Sequence, residues 1–245
     1  MEATDHSDHK FESRFVTLLV ESNEQQLAGT ELRRRVQEQE GIRYRRTLTS
    51  VNFEKQLLVV DRLNGLPVAT VGLTSSQYGG EIESAFDLRG LMQGTVDYLE
   101  LDGPVMLAGH NPDEILSQCL EYVAVLNQSH IKRALVSKIS LPLGGGDKYV
   151  QSLMFYLRNS HMCTTLARPR VPLRRGDIAY ADDVILPGML RAFLRYGACI
   201  GSEPYWDAEQ GRAEILVWLQ SDQLVQQGYV PHNLSRCRVD SQIPA

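Results

Sequence analysis

Two neighbouring stretches of the sequence carry residues that could do chemistry. Glu100 is the carboxylate inside the apolar run YLEL at 98–101. A carboxylate in such a run either pairs with a cation or has the raised pKa that suits a general base. A few residues later the chain reads Gly109-His110-Asn111-Pro112, which ends the extended run and begins a helix. The spacing places a candidate proton acceptor just before a candidate anion-binding turn.

The turn admits two interpretations. A strand that ends in a turn and continues as a helix aims backbone N–H groups at one point, where the helix dipole favours an anion such as a phosphate. The same groups can be satisfied locally, with Asn111 as N-cap, Pro112 at the first helical position and Glu114 completing a capping box. Asp113 and Glu114 would also repel an anion. The residues alone leave both interpretations open.

Other candidate groups match known kinds of site less well. His161 and Cys163 could form a nucleophilic pair, but no orienting acid stands at a recognisable spacing from them. The glycine loop at 144–146 is followed by Asp-Lys rather than Lys-Ser or Lys-Thr, so it is not a Walker phosphate loop. The four cysteines include no C-x-x-C pair. We therefore predict no metal site and free thiols in a reducing cytoplasm.

The central elements can be predicted from periodicity. Alternation predicts a strand over 96–107, with Val96, Tyr98 and Glu100 on one face. An apolar stripe predicts a helix over 112–129, and the run at 134–141 is a further strand. Ahead of them, β-rich runs at 56–62 and 67–74 flank Asn64-Gly65, which is a strong hairpin signal.

The remaining elements complete a mixed α/β order. Patterns predict a strand at 15–22, helices at 24–41, 148–160 and 186–196, and two C-terminal strands at 198–207 and 213–220. Residues 167–183 read as an irregular insertion. This order does not fit a doubly wound sheet and favours a mixed sheet with a break after a central strand. We expect one domain over 11–230, a disordered tail at 1–10 and a C-terminal tail at 231–245.

Composition excludes several function classes. The chain has 245 residues and a net charge of -5, which argues against general nucleic-acid binding. Hydrophobic residues make up 43% and charged residues 22%, as in ordinary globular domains. We see no apolar run that could span a membrane and no signal peptide, and we expect a cytoplasmic protein.

Four stretches together resemble one family. They are ELRRRVQEQEG at 31–41, KQLLVVDRLNGLPVATVGL followed by IESAFDLRGL, VDYLEL at 96–101, and LRAFLRYGACIGSEPYWDAEQGRAEILVWL at 190–219. In this order they resemble the haemolysin-like acyltransferases of the GNAT fold that make ornithine lipids and N-acyl amino acids, relatives of the acyl-homoserine-lactone autoinducer synthases. The last stretch is the most specific, because it includes the unusual run Gly-x-Glu-Pro-x-x-Asp. Together the stretches cover most of residues 25–225.

The resemblance implies a mixed, mostly antiparallel central sheet flanked by helices, and an activity. The expected activity is transfer of an acyl group, typically a fatty acyl group, from an acyl-carrier-protein or coenzyme A thioester to the amine of an amino-acid-like acceptor. The thioester is a substrate, so no permanently bound cofactor is implied. Glu100 matches the family's strand glutamate and is the expected base. The pantetheine arm is expected beside the strand end and the turn, at Val105, Leu107, Ala108, Gly109, His110 and Asn111.

Substrate contacts are expected from three other regions. Arg33 and Arg35 lie on the opening helix, and Phe86 with Leu88, Leu91 and Met92 is expected to line an acyl tunnel. Glu203, Trp206 and Asp207 belong to the most specific stretch, where they either shape the acceptor side or fix the C-terminal hairpin.

The sequence departs from the family pattern directly after Glu100. An arginine follows the glutamate in the family, whereas Asp102-Gly103-Pro104 stands here. Arg43, Arg45 or Arg46 could supply the missing charge. Two alternatives to an N-acyltransferase stay open: a non-catalytic GNAT-like module that binds an acyl carrier or partner, and a thioesterase-like hydrolase that uses Cys163 and His161.

Overall fold

The computed structural model describes residues 13–39, 54–76, 80–92, 97–126, 133–143, 146–160, 163–164, 166–173 and 184–220. The helices in this part of the chain are α1 (Asn23–Gln39), α2 (Ile82–Ala85), α3 (Pro112–Leu126), α4 (Lys148–Ser160) and α5 (Gly188–Arg195). The strands are β1 (Phe15–Leu19), β2 (Lys55–Asp61), β3 (Leu66–Ser75), β4 (Phe86–Asp87), β5 (Asp97–Met106), β6 (Arg133–Pro142), β7 (Cys163–Thr164), β8 (Arg168–Pro169), β9 (Cys199–Gly201), β10 (Tyr205–Asp207) and β11 (Arg212–Gln220).

Nine of the described strands form one mixed sheet. Its order is β1-β2-β3-β5-β6-β11-β9-β7, with β10 paired to β11 off this path, and β4 pairs with β8 separately. Neighbouring strands run antiparallel, except for the parallel pairs β5–β6 and β7–β9. This arrangement confirms the predicted GNAT-like fold class, a mostly antiparallel central sheet flanked by helices.

Most predicted elements are present, and the differences have local causes. The hairpin turn at 62–65 ends at Gly65, whose φ of 69° suits a residue without a Cβ. The predicted strand at 198–207 is two strands, because the chain leaves the sheet at 202–204, where Pro204 cannot donate to a ladder. The end of the first predicted helix at Gly41, Val96 and the two predicted tails lie outside the described residues, as does most of the irregular insertion.

The two faces of the sheet carry two apolar cores. Leu99 and Leu101 of β5 face a large core that includes α3, α4 and α5. Tyr98 faces the opposite side, where a smaller core includes α2 and residues of β6 and β11. Successive side chains of a strand point to opposite faces, so Glu100 and Asp102 share the face of Tyr98. That face is the one on which the candidate chemistry lies.

Strand β5 separates from β6 halfway along its length. The parallel register runs from Asp97 with Arg133 to Leu101 with Ser137, and the Ser137 hydroxyl donates to the Leu101 carbonyl oxygen at 2.9 Å. Beyond Leu101, β5 remains paired with β3 as far as Met106. The sheet therefore opens between β5 and β6 just after Glu100.

A β-bulge accompanies this separation. Thr70 opposes Val105 and Gly72 opposes Asp102, so two residues of β5, Gly103 and Pro104, stand against one residue of β3. Proline lacks an N–H and is tolerated in a strand at such a bulge. The run Asp102-Gly103-Pro104 thus occupies the point where β5 is bulged and leaves β6.

Within the described residues, no helix is both long enough and apolar enough to cross a membrane.

Candidate active site

Glu100 is buried and only half satisfied. The residue is 1% exposed, and its Oε1 accepts a hydrogen bond from the Ile82 backbone N–H at 3.1 Å. Its Oε2 is buried, and no described residue donates a hydrogen bond to it. Gly80 lies so close that a Cβ there would overlap Oε2. The glutamate is therefore held through one oxygen and keeps the other available for a proton.

The pKa of Glu100 is raised from 4.5 to about 8, first by burial and then by the neighbouring charge of Asp102. The hydrogen bond from Ile82 and the charge of Lys138 oppose this rise. Burial also raises the pKa of Asp102 from 3.8 to about 6, with Glu81 as the next cause. A carboxylate with a pKa near 8 is suited to accept a proton at neutral to mildly basic pH.

Lys138 brings a positive charge to these carboxylates. Its Nζ lies 3.3 Å from Glu214 Oε1 and 3.6 Å from Glu81 Oε2. Burial opposes the charge on Lys138, but Glu214, Glu81 and Asp102 outweigh that effect and raise its pKa. The side chains from three adjacent central strands, β5, β6 and β11, thus meet in one polar cluster. We call Glu81, Glu100, Asp102, Lys138 and Glu214 the carboxylate cluster.

The opening between β5 and β6 exposes a backbone donor of β5. The Leu107 N–H donates to the Val68 carbonyl oxygen of β3 at 3.0 Å. Because N–H groups alternate between the two sides of a strand, the Met106 N–H points away from β3 and toward the opening. Of the residues predicted to lie beside the pantetheine arm, Leu107 already has a partner for its N–H, and the Val105 N–H points toward β3 by the same alternation.

Asn111 caps α3 as the local interpretation required, but Glu114 does not complete the predicted capping box, because its carboxylate meets the Asn111 side-chain amide rather than the Asn111 backbone N–H. Asn111 Oδ1 accepts from the Asp113 N–H at 3.1 Å, and the Asn111 side-chain amide donates to Glu114 at 3.3 Å. Gly109 has a φ of 89°, which a glycine adopts without strain. His110 packs its ring edge-on against Phe15, with ring centroids 5.9 Å apart. Ala108 and Gly109 are exposed.

Positive charge from α5 also reaches the start of α3. Arg195 forms an ion pair with Asp113, and Arg191 Nε lies 3.9 Å from the same carboxylate. The two helices flank a pocket with a volume of about 390 Å³. It is lined by Asn111, Asp113, Glu114, Ser117, Ala192, Arg195 and Tyr196. The acidic start of α3 is thus partly neutralised by residues that lie some 80 positions further along the chain.

The two predicted arginines of α1 occupy different environments. Arg33 is 3% exposed, and its positive charge counteracts the rise in the pKa of Asp102. Arg35 is exposed and pairs with Glu31 at 3.0 Å. The structure therefore brings Arg33, but not Arg35, into the electrostatic environment of the carboxylate cluster.

The predicted tunnel residues pack into the smaller core. Phe86, Leu88 and Leu91 are buried, and Met92 is partly buried against them. The Phe86 ring contacts the Tyr205 ring, with centroids 6.0 Å apart. These side chains occupy the space in which an acyl chain was predicted. An acyl chain that entered here would have to displace them.

The three predicted residues of the most specific stretch lie in β10 and in the segment that precedes it. Asp207 Oδ1 accepts from the backbone N–H groups of Glu209 and Gln210, each at 3.1 Å, which favours the hairpin-fixing role. Trp206 is 39% exposed, and its backbone N–H donates to the Val171 carbonyl oxygen at 2.8 Å. Glu203 is partly buried in the segment between β9 and β10.

Sequence reasoning missed two charged members of the carboxylate cluster. Lys138 and Glu214 were not singled out, although each is a charged residue inside a β-rich run, as Glu100 is. That shared pattern was the available signal, because charges inside central strands are buried only when they meet one another or a ligand. His161 and the arginines at 43, 45 and 46 lie outside the described residues, as does the Cys163 side chain, so those predictions remain predictions.

Two solved structures are similar to the chain over most of its length. One is the aminoglycoside 6'-N-acetyltransferase from Enterococcus faecium, with 14% identity, 84% of this chain and 97% of that chain covered, and a TM-score of 0.47. The other is FeeM, an N-acyl amino acid synthase from uncultured soil microbes, with 12% identity, coverage of 87% and 94%, and a TM-score of 0.46. No protein-family model matches the sequence, and no curated protein matches it.

Proposed function

We propose that the chain is an N-acyltransferase. It transfers an acyl group, most simply a fatty acyl group, from an acyl-carrier-protein or coenzyme A thioester to the amine of an amino-acid-like acceptor. The observation that carries this proposal is the buried Glu100, with one oxygen free of described donors, beside the opening between two parallel strands. A strand pair that only supports the fold does not need to separate as β5 and β6 do beyond Leu101. An extended pantetheine arm fits between two strands that have separated in this way.

The proposed reaction is direct transfer without a covalent enzyme intermediate. Glu100 takes a proton from the acceptor amine through an intervening water, since the residue is only 1% exposed. The amine nitrogen attacks the thioester carbonyl carbon, and the carbonyl oxygen becomes an oxyanion that accepts a hydrogen bond from the Met106 N–H. The tetrahedral intermediate collapses, the C–S bond breaks, and the leaving thiolate takes up the proton that Glu100 accepted, which restores the carboxylate. Positioning of the two substrates supplies a large part of the rate.

The donor's phosphate would lie at the turn. We assign Val105, Leu107, Ala108, Gly109, His110 and Asn111 to the pantetheine side of the site, with Met106 as the donor that faces the opening. The N-terminus of α3 favours an anion there, and Arg191 and Arg195 offset the negative charge of Asp113. An acyl carrier protein presents one phosphate and coenzyme A presents more, so the donor panel below compares the two.

The remaining predicted residues are proposed substrate contacts, with Phe86 on the acyl side and Glu203, Trp206 and Asp207 on the acceptor side. Arg33 lies within the field of the carboxylate cluster, while Arg35, Phe86, Glu203, Trp206 and Asp207 would act at the periphery or support the fold. The cytoplasmic location expected from the sequence stays a prediction.

The proposal can be tested with purified protein and defined substrates. Acyl-coenzyme A and acyl-carrier-protein panels of increasing chain length are incubated with pooled amines and amino acids, and the products are identified by mass spectrometry. We expect an N-acyl product that is lost in Glu100→Gln and retained in Glu209→Gln, which makes the same charge change at an exposed turn residue. Thioester hydrolysis without any N-acyl product would contradict the proposal.

A non-catalytic binding module is the second candidate, and the missing arginine after Glu100 favours it. This module would bind the acyl carrier or thioester but would form no product with any amine in the panel. Its cellular function would also survive Glu100→Gln.

A further inference from the structure

The carboxylate cluster carries more negative than positive charge. Its four carboxyl groups, on the face of the sheet that carries the smaller core, are those of Glu81, Glu100, Asp102 and Glu214. They lie near two positive charges, the ammonium of Lys138 and the guanidinium of Arg33. Among the described residues, four carboxylates therefore meet two cations. Burying like charges together is costly unless a carboxyl group stays protonated, as the raised pKa of Glu100 allows, or a further positive charge enters the site.

Lys138 demonstrates that the cluster can hold an alkylammonium group. Its Nζ lies between Glu214 and Glu81, at 3.3 Å and 3.6 Å from their oxygens. Asp102 also contributes favourably to the charge of Lys138, but its own carboxyl group keeps a raised pKa of about 6. Among the described residues, Lys138 and Arg33 together therefore leave part of the negative charge of Asp102 uncompensated.

The unpartnered oxygen of Glu100 is an independent sign of a missing group. Glu100 is 1% exposed, its Oε2 is buried, and no described residue donates to that atom. Asp102 and Glu81 both raise its pKa, which means that the carboxyl group faces their negative charges. A donor that enters beside Glu100 would satisfy an oxygen that the fold leaves without a partner.

Glu81 is the most exposed member of the carboxylate cluster. The side chain of Glu81 is 48% exposed, whereas that of Glu214 is 8% exposed and Asp102 is 6% exposed. The cluster therefore has an exposed carboxylate at its entrance and buried carboxylates at its base. A short, linear, positively charged molecule matches this arrangement.

We propose that the acceptor is a short diamine or polyamine, bound by the carboxylates of Asp102, Glu81 and Glu214 through a second ammonium group while its first amine meets Glu100. This inference rests on the proposed function and narrows its acceptor. The acceptor keeps the size of an amino acid, but an ammonium group takes the place of the carboxylate. An acceptor carboxylate would meet like charges on several sides, and the family's arginine beside the catalytic glutamate is absent here.

A matched series of acceptors tests the inference. The series is 1,4-diaminobutane, butylamine, 4-aminobutanoate and ornithine, each assayed with the best donor from the panel. A hydrogen bond to a charged partner changes affinity by about 10- to 100-fold. We therefore expect kcat/KM for 1,4-diaminobutane to exceed that for butylamine by about tenfold or more, with 4-aminobutanoate the poorest. Equal values for the diamine and butylamine, or a preference for either carboxylate-bearing acceptor, would overturn the inference.

A variant at the entrance gives a second readout. Glu81→Gln changes an exposed residue and should not disturb folding, and Glu209→Gln removes one exposed carboxylate elsewhere. We expect Glu81→Gln to lower the ratio of kcat/KM for 1,4-diaminobutane to that for butylamine by about fivefold or more. The ratio should stay unchanged in Glu209→Gln. An unchanged ratio in both variants would argue against an ammonium site at the cluster.

A binding measurement separates this inference from the proposed function. Titration calorimetry of the full chain with 1,4-diaminobutane needs no acyl donor. If no amine is acylated but the diamine binds, and Glu81→Gln weakens the binding, the proposed activity fails and the ammonium site stands. If amines are acylated but the diamine has no advantage in binding or turnover, the ammonium site fails and the proposed activity stands.

Discussion

Replacing Glu100 with glutamine should remove a pH-dependent loss of stability from the protein. The carboxyl group ionises near pH 4.5 in an unfolded chain and at about 8 in the folded chain. Between these values the folded protein holds a proton that the unfolded chain has released. The contribution of Glu100 to folding is therefore most favourable below pH 4.5, and it weakens as the pH rises through 8.

The expected size follows from the pKa values. Asp102, with a pKa of about 6, is ionised over most of the range from pH 6 to pH 9, so Glu100 dominates the difference there. Each pH unit between 6 and the Glu100 pKa lowers the free energy of unfolding by about 1.4 kcal/mol. This one group therefore accounts for a loss of about 3 kcal/mol of stability. The glutamine variant has no ionisable group at this position. It loses the base but keeps an oxygen that can accept from the Ile82 N–H.

Urea unfolding at pH 6 and pH 9 measures this difference. The buried Trp218 provides a fluorescence signal, and Glu209→Gln controls for the change in net charge. Between pH 6 and pH 9 we expect the free energy of unfolding of the wild type and of Glu209→Gln to fall by about 3 kcal/mol more than that of Glu100→Gln. Equal losses in all three proteins, or a wild type that gains stability toward pH 9, would refute the description of Glu100 as a buried carboxylate with a raised pKa.

The remaining predictions concern the rate and the geometry of the site. The rate of acyl transfer should rise with pH and level off above about 8, as Glu100 ionises; a rate that falls over pH 6–8 would contradict this. Met106→Pro removes the N–H that faces the opening without removing a β3–β5 hydrogen bond, and should lower kcat by about 100-fold, whereas Met106→Ala keeps that N–H and should retain most of the rate. Gly80→Ala adds a Cβ that overlaps Glu100 Oε2, and should cost about 1–3 kcal/mol of stability in urea unfolding and reduce transfer; wild-type values for both would show that the contact is not tight.

The fold followed largely from local patterns. Helix α4 has the predicted bounds, and the hairpin about Asn64-Gly65 and helix α3 with its Asn111 cap are where the sequence put them. These elements are specified by short-range signals, namely an apolar stripe, a turn dipeptide and a capping residue. The split of the predicted strand at 198–207 was not specified in this way. It depends on which part of β11 each half meets, which is a tertiary property.

The candidate site could be predicted only in part for the same reason. Glu100 was visible as a charge in an apolar strand, and the turn was visible through its glycine and proline. The pairing of Lys138 with Glu214 was not predictable from spacing, because the two residues lie 76 positions apart and meet only through the β6–β11 register, where Lys138 opposes Leu216. The choice of the Met106 N–H as the oxyanion donor was not predictable either. It depends on the observed hydrogen bond from the Leu107 N–H to the Val68 carbonyl oxygen, which fixes the N–H groups of β5 that point toward β3.

The central claim is that Glu100 accepts the proton of the attacking amine, and single-turnover transfer tests it most directly. Wild type, Glu100→Gln and Glu209→Gln are mixed with one equivalent of the acyl donor and saturating acceptor at pH 8.5 or above, which is about where Glu100 is mostly ionised, and the N-acyl product is followed by rapid quench and mass spectrometry. We expect the product-forming rate of Glu100→Gln to be at least about 100-fold below that of the other two proteins, with donor binding unchanged. Transfer in Glu100→Gln within about threefold of the wild-type rate would contradict the claim, since general-base catalysis contributes far more than that.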